Sequence, residues 1–238
     1  MKKSNLFILS ITVSVLFSSC SIYEPIVADI PLISKKNDLR VDATVTLLPS
    51  ISATVSYGLT DKIAIQAFGK NRGSNCYFQG AAGYYKDLGN KFTMEAYTGF
   101  GYGYGDANYE NGLRLFNGNY QCYFEQFNIG QSNVGSLYLD YGIGLKMGLL
   151  HSNLNETYDI PIPIQNPDMT PIPIPIPTPI QYSDNRLLVE PTCFFRFGIE
   201  KLKFNIKLGY CWINKSTNTN KLFPYDNFTI GVGVNYRL

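Results

Sequence analysis

The chain has 238 residues, a net charge of +2, 14% aromatic residues and only 16% charged ones. Soluble domains typically carry about 25% charged residues, yet no apolar run here reaches the roughly 20 residues that a membrane-spanning helix needs. The near-neutral balance argues against a nucleic-acid partner, and the length suits one domain of about 200 residues behind a leader.

Residues 1–19 read as a signal peptide. Lys2 and Lys3 form a basic start, Leu6 to Phe17 is mostly apolar but too short to span, and Ser18 and Ser19 precede Cys20. This order resembles a lipobox, so Cys20 is expected to be acylated and to become the mature N-terminus. Residues 20–38 contain Pro25, Pro31, Lys35 and Lys36 without clear periodicity, and read as a lipid-anchored tether.

From Leu39 onward, alternation begins and hardly stops. Strands are expected at 39–47, 50–59, 62–70, 76–86, 91–104, 119–129, 134–150, 184–199, 202–213 and 226–238. The last two are the clearest. Phe204, Ile206 and Leu208 lie on one face, with Lys203 and Lys207 on the other. Phe228, Ile230, Val232 and Val234 alternate in the same way with Thr229, Gly231 and Gly233. This is the period of a strand with one apolar and one polar face.

The connections alternate in length. Counting from the first strand, most of the odd-numbered ones, at 48–49, 71–75, 105–118, 151–183 and 214–225, are long, whereas all of the even-numbered ones, at 60–61, 87–90, 130–133 and 200–201, are tight. Long loops at one end and short turns at the other are the pattern of a transmembrane barrel. The expected fold is therefore all-β, an antiparallel up-and-down transmembrane β-barrel of about ten strands over 39–238, with a Pro-rich surface loop at 151–183. Both termini would lie at the end of the short turns. Phe204, Ile206, Leu208, Phe228, Ile230, Val232 and Val234 are expected to face lipid. Arg40, Asp42, Lys62, Glu95, Asp140, Lys146, Glu190, Arg196, Lys203, Lys207 and Arg237 are expected inside, paired with one another, because unpaired buried charge is costly. A ten-stranded tube is only slightly wider than an eight-stranded one, which side chains fill. A plugged, salt-bridged interior is expected rather than an open pore.

Phe100–Gly105 reads Phe-Gly-Tyr-Gly-Tyr-Gly, but no helix follows to make it a phosphate loop. It reads instead as a strand with glycine inward and aromatics outward. Alternate prolines across 160–180 exclude a ladder strand and favour an extended, polyproline-like segment. Cys76, Cys122, Cys193 and Cys211 show neither a CxxC pair nor metal-ligand spacing. They read as small apolar residues in or near strands. His151 is the one histidine, expected at a strand end near Asp106, Glu110, Asp159 and Asp184. It gives a rim hydrolase little support. No catalytic residue, metal or cofactor is expected.

Three stretches resemble small outer-membrane β-barrel proteins of Bacteroidetes with a lipoprotein-like signal. They are Cys20 with Pro31–Leu39, then Asn119–Gly130, then Val189–Leu208 followed by the closing Gly-Val-Gly-Val-Asn-Tyr-Arg-Leu. The resemblance implies a barrel in the bacterial outer membrane with no known activity. Its expected role is structural or surface interaction. Outer-membrane lipid and the barrel-assembly machinery are the expected partners, and the surface partner is left open. The alternative is a soluble periplasmic or surface barrel that binds a small apolar ligand inside.

Overall fold

The computed structural model describes residues 21–26, 30–109, 113–158, 178–216 and 222–238. Cys20 and most of the Pro-Ile run lie outside the described residues. The strands are β1 (Leu39–Thr46), β2 (Ile51–Gly58), β3 (Ile63–Arg72), β4 (Asn75–Gly89), β5 (Phe92–Tyr109), β6 (Arg114–Val134), β7 (Leu139–Tyr158), β8 (Ile180–Gly198), β9 (Leu202–Tyr210), β10 (Trp212–Ile213) and β11 (Phe228–Arg237). Each pairs antiparallel with its neighbours, and β9 joins both β8 and β11, so the sheet closes on itself. β10 extends β9 past Cys211 along the same edge of β8, which makes ten staves.

Period-2 alternation sorts the side chains as anticipated. Phe204, Ile206, Leu208, Phe228, Val232 and Val234 point outward and are exposed, and Ile230 shares their face half-exposed. On β7, Leu139, Tyr141, Ile143, Leu145, Met147 and Leu149 form a continuous outward row. At about 3.4 Å per residue and a tilt near 40°, that row is roughly 26 Å tall, the height of a lipid-facing band. Glu125 is the outward acid in this belt on β6, one row inside the boundary pair Tyr123–Leu149. An acidic residue so close to an interface costs little.

β5 to β8 are 18, 21, 20 and 19 residues long and run well beyond the belt. Their outward faces turn polar there: Gln121, Asn119 and Asn117 on β6, His151, Asn153 and Asn155 on β7, Asn185, Ser183 and Gln181 on β8. This corrects two expectations. The connection at 105–118 shrinks to 110–113, and much of 151–183 is strand, because β7 ends at Tyr158 and β8 starts at Ile180. Length sorting therefore rests on 159–179 and 214–227. The end that carries these two is called here the loop end, and the other the turn end.

Candidate functional site: a plugged barrel lumen

The largest departure from the sequence reading concerns the tether. Residues 21–26 and 30–33 are buried and run through the lumen from the loop end to the turn end. Ser21 lies at the loop end, where its carbonyl accepts from Asn75 Nδ2 at 2.8 Å and its hydroxyl contacts Asp226. Asp38 lies at the turn end, where its carbonyl accepts from the Gly58 amide at 3.0 Å. Ser21 and Leu238 therefore lie at opposite ends of the barrel, whereas the sequence reading placed the tether and the C-terminus at the same end.

Wall groups hold this segment by its backbone as well as its side chains. The Ile26 amide donates to Glu190 Oε1 at 3.0 Å, and the Ile33 amide donates to Glu95 Oε1 at 2.7 Å. Arg196 Nη2 donates to the Ile30 carbonyl at 2.8 Å. Tyr23 forms a parallel bridge with Tyr225, and the Asp226 amide donates to the Tyr23 carbonyl at 2.9 Å. An extended strand inside a barrel has no ladder partner along most of its length, so wall carboxylates and guanidinium must satisfy it.

The side chains fill three levels. Ile22, Tyr23 and Ile26 pack among Tyr77, Tyr120, Phe124 and Phe223 toward the loop end. Ile30 and Leu32 meet Phe194, and Ile33 meets Tyr85 and Tyr97. Each fully buried aliphatic side chain contributes about 1.5–3 kcal/mol. Glycines make the room. A Cβ on Gly101 or Gly103 would strike the ring of Tyr77 or Tyr120. This is the physical reason for the Gly-Tyr alternation at 100–105.

Charges line the same space in pairs. Lys207 Nζ is 2.6 Å from Asp42, which also accepts from Asn205 Nδ2 at 2.6 Å. Lys203 pairs with Asp140 at 2.5 Å, and Arg40 reaches Asp38 at 3.8 Å and Asp140 at 4.0 Å. Lys146 is 3.6 Å from Glu190 and sits 4.3 Å from the centre of the Phe124 ring. Arg237 is half-buried at the turn-end mouth, where it pairs with Asp38 at 2.7 Å.

Lys62 departs from this set: it sits exposed in the connection between β2 and β3. The structure adds partners that the sequence reading omitted. Glu24 of the plug pairs with Lys70 at 2.5 Å and with Arg72, Arg114 pairs with Glu156 at 2.5 Å, and Arg186 pairs with Asp184 at 2.7 Å. Asp184 and Arg186 share the parity of Glu190 and Arg196 on β8, so alternation could have found them.

The closed antiparallel fold matches that of solved outer-membrane barrels. A crystal structure of the outer membrane protease OmpT from Escherichia coli superposes with a TM-score of 0.53 at 10% identity, covering 85% of this chain and 94% of that one. The fold is that of an outer-membrane β-barrel. The N-terminal barrel domain of Pseudomonas aeruginosa OprF gives a TM-score of 0.35 at 14% identity, covering 85% of this chain and 98% of that one. The KdgM porin gives 0.36 at 12%, covering 84% and 98%. No protein-family model matches this sequence, and no curated protein matches it.

Within the barrel, His151 stands on the outer face of β7. Its Nδ1 lies 2.8 Å from Asn185 Oδ1, and its Nε2 lies 3.5 Å from Asn153 Nδ2. Asp184 faces the lumen, on the other side of the wall, contrary to the expectation that it sits beside His151. Glu110 and Asp159 lie outside the described residues. Cys76, Cys122, Cys193 and Cys211 are not paired with one another.

Proposed function

We propose that the chain is an outer-membrane barrel held shut by its own N-terminal segment, with a structural or surface-interaction role and no catalytic one. The observation that carries this reading is the burial of residues 21–26 and 30–33 in a lumen lined by ion pairs and aromatic side chains. The charge and the plug together disfavour the alternative of an apolar ligand bound inside, because Ile22, Tyr23 and Ile26 of the plug already pack against the apolar part of the wall and the rest of the lumen carries paired charges. The likeness to OmpT, at 10% identity, concerns the fold. Among the described residues, the side chains that hold the His151 ring are the amides of Asn185 and Asn153, and neither is an acid.

On this reading the apolar belt meets outer-membrane lipid, and the barrel-assembly machinery inserts the chain. The loop end faces outside the cell, as longer connections do in such barrels. Acylation of Cys20 then acquires a consequence. Ser21 sits at the loop end, so the anchor would enter the outer leaflet. More than one acyl chain would be needed for stable anchoring.

Fractionation tests the reading directly. The protein is expected in outer-membrane fractions after carbonate washing, and release into the wash would defeat it. An alkyne fatty acid is expected to label wild type but not Cys20→Ala. Equal labelling would remove the anchor and leave the barrel.

A further inference from the structure

Beyond the belt, β5 to β8 present an outward grid whose rows follow the strand register. Gln121 stands opposite His151, Asn119 opposite Asn153, and Asn117 opposite Asn155. Tyr102 and Tyr104 on β5 close the first two rows, opposite Gln121 and Asn119. Facing residues in such a sheet lie about 5 Å apart and successive rows about 7 Å apart.

The chemistry of the grid is narrow. Each carboxamide offers two donors and an acceptor. Asn155 Nδ2 donates to Asn117 Oδ1 at 3.1 Å, and His151 is held by Asn185, so the side chains are already ordered. Ordering in advance lowers the entropy lost on binding. In the three rows, Asp106 is the one acid and neither Lys nor Arg occurs. A phosphate or carboxylate ligand would find no countercharge. An apolar partner would bury amides without partners, which is costly. A chain of hydroxyls, each both donor and acceptor, suffers neither penalty, and the Tyr rings offer flat faces to the apolar side of a sugar.

Resting on the membrane reading above, we propose that this grid binds the neutral sugar chain of a glycolipid in the surrounding leaflet. The placement fits that source: the first polar row begins one step above Tyr123, Leu149 and Leu187, where the belt ends and headgroups begin.

Native mass spectrometry of the full chain in phosphatidylethanolamine nanodiscs, with and without a lipopolysaccharide bearing an uncharged oligosaccharide, tests the proposal. Retained lipopolysaccharide is expected for wild type, and at least a tenfold drop in retention for N117A/N119A/N153A. The single variants Asn119→Ala and Asn153→Ala are expected to show partial losses, so the test survives if the triple variant misfolds. Dephosphorylated lipopolysaccharide should be retained equally. Unchanged retention by the variants, or loss on dephosphorylation, would overturn the proposal. Equal capture of the free oligosaccharide would overturn the glycolipid as the source. Failure of the wild-type chain to insert into nanodiscs would instead strike the membrane reading itself.

Discussion

The Glu190 carboxylate on β8 accepts the Ile26 amide at 3.0 Å, joining residues 164 positions apart across the barrel. The same carboxylate lies 3.6 Å from the Lys146 ammonium on β7. One side chain thus fastens the plug to the wall and neutralises a buried cation. Glu190→Ala should therefore strand both groups. Removing one partner of a buried pair typically destabilises by about 3–5 kcal/mol. A lower urea midpoint for unfolding from liposomes, with faster hydrogen exchange at the Ile26 amide, is the expected pair of readings. A lower midpoint with unchanged exchange would mean that Glu190 serves Lys146 alone.

The plug should also be what closes the lumen. Deleting residues 21–34 removes Glu24 and the buried Ile22, Tyr23, Ile26, Ile30, Leu32 and Ile33. In planar bilayers the intact chain is expected to be silent and the deletion variant to conduct. Heat-dependent gel migration would confirm that the variant still forms a barrel. A folded but silent variant would show that the wall ion pairs close the lumen without the plug.

Direction can be read from tags. An epitope inserted between positions 20 and 21 is expected to react with antibody on intact cells. One placed after Lys36, exposed at the turn end, should react only after permeabilisation. The reverse pattern would invert the barrel in the membrane.

Two opposed substitutions test the inside-out arrangement. Ile206 is 42% exposed on the belt, and arginine there should cost roughly 2–4 kcal/mol if the site lies at mid-bilayer. Asp42→Ala, inside, should leave Lys207 without its carboxylate and cost a similar amount. Folding of Ile206→Arg into liposomes with an unchanged urea midpoint would contradict a lipid-facing position.

Gly101 can be tested by crowding. A valine there would press on the Tyr77 ring, which stacks on Tyr120 with centroids 5.7 Å apart. Overpacking of this kind typically costs about 1–3 kcal/mol. The midpoint should fall for Gly101→Val but hold for Gly80→Ala, where an added Cβ meets open space. Equal effects would assign the glycine pattern to strand propensity instead.

Strand number, strand faces and the pairing of interior charges were legible because each is written locally. Side chains on a strand alternate between two environments, and where one is lipid and the other a charged lumen, the contrast appears residue by residue. That contrast fades where β5 to β8 leave the belt. Asn117, Asn119 and Gln121 are polar on a face that is apolar lower down, so the pattern was lost while the strand continued. Lys62 misled for a related reason, since parity assigns a face only while the chain remains in a strand. The plug was decided by tertiary structure alone. Residues 21–38 carry no periodicity, and their partners Lys70, Glu95, Glu190 and Arg196 are spread over three strands far along the chain. An unpatterned segment rich in proline reads as a tether in isolation, and becomes a core only when a closed wall supplies acceptors, donors and apolar surface on every side.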